Sequence, residues 1–121
     1  MSRNRASAKA AGATFEKQVA DYLAAQIDDR IERRTLTGSK DRGDIGGLRV
    51  HAQRVVIECK NYGGRLEAGV WINETEIERI NDNALAGFVV AKRRGITDPA
   101  KQYVLLTLGD LVALLNGHRN D

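Results

Sequence analysis

One cysteine, one proline and an aromatic content of only 5% are what this 121-residue chain has least of. Cys59 by itself cannot close an intramolecular disulfide, and without partner cysteines it cannot build a zinc site of the usual kind. No apolar run approaches the roughly 18 residues that would span a bilayer. The opening MSRNRASAKA carries no apolar stretch of the kind a signal peptide needs, so the expectation is a cytoplasmic protein with no membrane segment. No G-x-G-x-x-G follows a strand and opens a helix, so Gly46-Gly47 is expected to shape a turn and not a dinucleotide loop. His51 and His118 have no partner at metal-ligand spacing and read as surface residues.

What is present is the mixture of a soluble globular domain, 42% hydrophobic and 29% charged. The length suits one domain, expected over residues 12–121, preceded by a flexible basic arm at 1–11. The formal net charge is only +3, but the basic residues are grouped: Arg3, Arg5 and Lys9; then Arg30, Arg33, Arg34, Lys40 and Arg42; then Lys92, Arg93 and Arg94. Glu74, Glu76, Glu78 and Asp82 stand between the last two groups. Each group alone reads as solvated surface, whereas three around an acidic centre suit an anionic polymer.

Phe15, Val19, Tyr22, Leu23 and Ile27 recur at helical spacing, predicting a first helix from Ala13 to Gln26 with Glu16 on the border of its buried face. Short strands are expected at 31–36, 44–50 and 54–60. Leu66, Val70, Ile77, Ile80 and Ala84 predict a second helix over 67–83 that turns this stripe inward. Strands at 86–91 and 103–108 follow, and then a helix at 111–115 that Asp110 caps and Gly117 ends. The order α-β-β-β-α-β-β-α predicts an α/β fold: a mixed central sheet flanked by helices, antiparallel in its first part.

The chemistry concentrates in Val55-Val-Ile-Glu-Cys-Lys60. On a strand, residues two apart share a face, so Glu58 and Lys60 emerge together while Ile57 and Cys59 point the other way. A bare Glu-x-Lys is usually a surface ion pair of little value. Gly43-Asp44-Ile45, on the neighbouring strand, adds a second carboxylate opposite the first. Two such carboxylates repel unless a cation lies between them, and hard oxygen ligands suit Mg²⁺. The Cys59 carbonyl offers a further oxygen. An ion held there could polarise a phosphodiester and activate water, with Lys60 placing a compact positive charge beside it.

In these residues the chain resembles the PD-(D/E)xK nuclease superfamily, particularly the archaeal-type and phage-type Holliday junction resolvases. The likeness covers most of the chain after residue 11. Gly12-Ala-Thr-Phe-Glu16 is similar to that family's first-helix glutamate, Arg33-Arg34 to its basic residues after the first strand, Gly43-Asp44-Ile45 to its Pro-Asp, and Ile57-Glu58-Cys-Lys60 to its Glu-x-Lys. The resemblance implies a restriction-endonuclease-like core and a homodimeric, metal-dependent endonuclease. Its catalytic positions would be Glu16, Asp44, Glu58 and Lys60. Mg²⁺, replaceable by Mn²⁺, would be held by Asp44, Glu58 and the Cys59 carbonyl, with Glu16 as a further candidate ligand. Gly43 stands where the motif has proline, and Glu74 where many relatives place a glutamine.

Arg33, Arg34, Lys40, Arg42, Lys92 and Arg93 are the expected phosphate contacts, and branched DNA such as a four-way junction is the expected substrate. Tyr62 and Trp71 read as core or interface residues before stacking groups, and Leu111–Leu115 as core or subunit contact. A restriction-like or repair nuclease, or a non-cleaving DNA-binding module on the same fold, would carry the same motifs. The short chain favours a resolvase, since it leaves no room for an added sequence-reading element.

Overall fold

The buried run Val55-Val56-Ile57 organises the molecule: it forms the middle of the longest strand and is closed to solvent on both faces. The computed structural model describes residues 4–34 and 43–120. In chain order the elements are α1 (Arg5–Gln26), β1 (Glu32–Arg33), β2 (Ile45–Gly46), β3 (Arg49–Val50), β4 (Gln53–Lys60), α2 (Ala68–Asn81), β5 (Ala86–Ala91), a 3₁₀ turn at Pro99–Lys101, β6 (Tyr103–Leu105) and α3 (Leu108–Asn116). The fold is α/β, with a mixed sheet in the order β1-β2-β4-β5-β6 and three packed helices. β4 and β5 are parallel, crossing over through α2, and the other pairings are antiparallel, including β3 with the start of β4.

Strand alternation divides the core between the two faces of the sheet. Val55, Ile57 and Cys59 join Phe15, Val19 and Ala20 of α1. On the other face Trp71 of α2 covers Val89 and Ala91, the register partners of Glu58 and Lys60. Burying each large apolar side chain of this kind is worth about 1.5–3 kcal/mol.

Several sequence expectations change. The helix expected at Ala13 begins at Arg5 and takes in most of the stretch expected as an arm: Asn4 caps it by accepting the Ser7 N–H at 2.8 Å, and the alanine-rich stretch that follows favours helix. The strand expected over 44–50 is two short strands parted at Gly47, whose φ of +95° breaks the extended run. The first strand is limited to Glu32–Arg33 among described residues, and the last strand ends at Leu105. Thr107, not Asp110, caps α3 through its hydroxyl, while Asp110 takes the Gly87 N–H and the Arg119 guanidinium. Gly117 ends α3 in the left-handed conformation, as expected.

The largest correction concerns α2. Most of the stripe expected to face the core is exposed, with Val70 at 57% and Ile77 and Ile80 at 61%, although Ala84 at its end is buried. The buried face is instead Trp71, Thr75, Glu78 and, just past the helix, Asp82. This face is polar because the sheet beneath it presents charge as well as apolar side chains.

The β3–β4 hairpin turns on His51-Ala52, both with positive φ, 52° and 62°. A two-residue turn between right-twisted strands demands this, though neither residue is glycine. The hairpin leans on the end of α3. The His51 ring bonds the Leu114 carbonyl at 3.0 Å, and a Cβ on Gly117 would lie 2.9 Å from that ring.

Candidate active site

Glu58 and Lys60 leave β4 on the α2 face, as alternation requires, at the carboxyl end of the strand. Asp44 reaches them from the β2 side. Ile45 pairs with Ile57, so Asp44 comes one residue before that pair and Glu58 one residue after it. The Asp44 N–H donates to the Ile57 carbonyl at 2.9 Å, and its carboxylate Oδ2 accepts the Cys59 N–H at 2.8 Å. This second bond fastens the carboxylate to the residue between Glu58 and Lys60. The N–H and C=O of a strand residue leave on the same side, so the Cys59 carbonyl is also directed toward the Asp44 edge.

Gly43 is what lets Asp44 approach so closely. Its φ is +94°, and a Cβ there would lie 2.9 Å from both the Ile57 carbonyl oxygen and Val56 Cγ1. A proline ring, with φ held near −65°, could not take this conformation, so the departure from the Pro-Asp pattern reflects backbone geometry.

Lys60 is largely buried, and its Nζ donates to Glu74 Oε2 of α2 at 2.9 Å. Burial works against the charged amine, but the Glu74 hydrogen bond and the nearby Glu58 and Glu74 charges outweigh it and raise the Lys60 pKa above its ordinary value. The ammonium is therefore a permanent positive charge at neutral pH. The Cys59 thiol, on the opposite face, is pushed up by burial and then by Asp44, Glu16 and Glu58, so it stays a protonated and unreactive group.

Glu16 sits on the α1 face, where its carboxylate accepts from Arg33 Nε at 2.9 Å. The Arg34 side chain lies across Gly46, close enough that a Cβ there would meet the guanidinium at 2.7 Å, and its Nη1 is 4.0 Å from Asp82. Arg54 donates to the Asp82 carbonyl at 3.0 Å. Lys92 bonds the carbonyls of Arg93 and Ile96, closing the loop after β5. The Arg93 guanidinium stacks 4.6 Å from the Tyr103 ring. Lys40 and Arg42 lie outside the described residues.

The structure thus fastens Asp44 to the backbone of Cys59, between Glu58 and Lys60, and adds Glu74 as the direct partner of the lysine. The burial of Glu78 in α2 and of Asp82 just past it is not apparent in sequence, where both count only among the acids between the basic groups and the apolar stripe sets the expected helix register. The competing pattern Trp71-x₃-Thr75-x₂-Glu78-x₃-Asp82 has equally good helical spacing and contains the chain's only tryptophan.

Among the described residues no group of three or more His, Cys, Asp or Glu side chains is spaced to hold a metal ion. Two carboxylates and a backbone carbonyl nevertheless fit one class of cation. Mg²⁺ keeps several waters and binds through one or two carboxylates plus substrate oxygens, not in a full protein cage. Glu58 Oε2 is a buried oxygen that no hydrogen bond reaches, although the residue has other interactions. An apolar cavity of about 330 Å³, lined by Val19, Tyr22, Phe88, Val104 and Leu111 among others, opens on the α1 face, away from Glu58 and Lys60. Among the described residues no helix is long and apolar enough to cross a membrane. No family model, curated protein or solved structure matches this chain.

Proposed function

We propose that this chain is a Mg²⁺-dependent, structure-specific DNA endonuclease with a PD-(D/E)xK, restriction-endonuclease-like core, acting on four-way junctions as a homodimeric Holliday junction resolvase. The observation that carries the reading is the 2.8 Å bond from the Cys59 N–H to Asp44, which fastens one carboxylate beside the strand end bearing Glu58 and Lys60. Surface ion pairs are not built this way: Glu58 is buried, and Asp44 is held by both main chain and side chain.

Asp44, Glu58 and the Cys59 carbonyl would hold the ion, Mn²⁺ serving in place of Mg²⁺. Once bound, it would polarise a phosphodiester and lower the pKa of a water. Lys60, aimed by Glu74, supplies a fixed positive charge to offset the negative charge that grows on phosphorus. Arg33 and Arg93, near the surface, suit contacts to flanking phosphates, which contribute affinity without reading bases. A two-fold homodimer matches the symmetry of a four-way junction, each subunit cutting one strand.

The test incubates the purified chain with a four-way junction, a flap and a linear duplex, each with Mg²⁺ and with EDTA. Paired nicks in the junction that require Mg²⁺ are expected. Absence of metal-dependent cutting on all three substrates overturns the proposal.

A further inference from the structure

Two residues beyond Lys60 the chain makes a tight turn, Tyr62-Gly63-Gly64-Arg65, closed by the Arg65 N–H donating to the Tyr62 carbonyl at 3.2 Å. Both glycines have positive φ, 66° and 94°, as a type I′ turn requires. Gly64 is pressed against the loop after β5, since a Cβ there would lie 2.8 Å from Arg94 Cβ. The turn is therefore braced, and so is the ring it carries. Tyr62 packs on the buried Trp71 with centroids 5.3 Å apart and planes at 53°, and the Arg65 guanidinium stands 5.5 Å from its centroid. Even so, Tyr62 is 47% exposed.

A half-exposed aromatic ring, backed by a buried one and flanked by a cation, is a poor way to fill a core. It is well suited to take the flat face of another π system, because little freedom is lost when a rigid ring is covered. In a continuous duplex each base face is already occupied by its neighbours. Only an unpaired or splayed base presents a free face, and stacking on an aromatic ring is available to any of the four. Phosphate contacts cannot make this distinction.

We propose that Tyr62, supported by Trp71 and Arg65, is a stacking platform for an unpaired base beside the phosphate held at Lys60, and that it directs the chain to branched or single-stranded DNA over duplex. The proposal rests on the endonuclease reading for its substrate, but it can be tested without cleavage.

Binding is measured in EDTA to a single strand, a four-way junction carrying 2-aminopurine at the branch, and a matched duplex. Wild-type protein is expected to prefer the first two and to quench the 2-aminopurine. Tyr62→Phe should behave as wild type. Tyr62→Leu, which keeps apolar bulk over Trp71 but has no π face, should lose about 5- to 100-fold in affinity for unpaired DNA, with duplex binding changed less than about twofold and thermal stability checked alongside. Equal loss on all three DNAs, or no loss on any, overturns the platform. If the selectivity and quenching hold while Mg²⁺ yields no cutting, the endonuclease reading fails and the platform stands. If cutting occurs but Tyr62→Leu binds as wild type, the platform fails alone, and a wild-type chain that binds none of the DNAs overturns both.

Discussion

The Lys60 ammonium of β4 and the Glu74 carboxylate of α2 are joined by a 2.9 Å hydrogen bond that spans the space between sheet and helix. Lysine in a Glu-x-Lys pattern is thereby given a direction as well as a charge. Glu74 is more exposed than the lysine it holds, at 44% against 13% for the side chains, so the carboxylate is the solvent-facing partner.

Glu74→Gln keeps an acceptor for Lys60 but removes a charge that raises its pKa. The lysine titrates above its ordinary 10.5 when folded, so the stability it contributes is present below 10.5 and fades as pH rises through the folded value. In the Gln variant burial remains and the opposing charge is gone, so the folded pKa falls. A titration of the Lys60 side chain by heteronuclear NMR should show the midpoint moving down. The alkaline limb of cleavage should move with it.

Asp44→Asn retains a side-chain oxygen able to accept the Cys59 N–H, so the local fold should persist while the negative charge is lost. Lys60→Ala removes the fixed cation. Each is expected to lower single-turnover cutting of a junction by about 100-fold or more, with junction binding in EDTA little altered. Cleavage at the wild-type rate in either variant would contradict the assigned roles.

Gly43→Ala places a Cβ 2.9 Å from the Ile57 carbonyl oxygen, at a φ of +94°. Left-handed strain and crowding together should cost about 1–3 kcal/mol. Urea unfolding followed by circular dichroism should show a lower midpoint with an unchanged slope.

Trp71→Ala and Ile77→Ala distinguish the two faces of α2. Loss of the buried indole should cost about 3–5 kcal/mol, whereas trimming the exposed isoleucine should change stability by no more than about 0.5 kcal/mol. The reverse ranking in thermal or urea unfolding would return the helix to the register its apolar stripe suggests.

The parts of the fold legible in the sequence are those determined by neighbours along the chain. Alternation puts Glu58 and Lys60 on one face regardless of what lies above them, and the apolar run at 86–91 forms a strand over those same residues. Glu16 lies at the border of the buried face of α1, as its spacing implies, but its partner Arg33 comes from β1. The face of α2 was not legible, because it depends on what the sheet offers. Arg34 and Arg54 offer Asp82 a partner on that side, and Lys60 offers one to Glu74, which Val70 or Ile77 could not use. The start of α1 turned on one capping side chain, Asn4, ahead of residues with no apolar anchor. Thr107 and Asp110 were exchanged as caps because Asp110 has a better use across the sheet, at Gly87 and Arg119.

The His51-Ala52 hairpin carries two left-handed residues and rests on the last turn of α3, 63 residues downstream by the His51–Leu114 contact. Its geometry is therefore underwritten by a segment far along the chain from the hairpin itself. Contacts between such distant segments slow folding, since the intervening loop must close before they form. Without the end of α3 the imidazole loses its seat, so the start of the central strand settles only once that distant helix has docked.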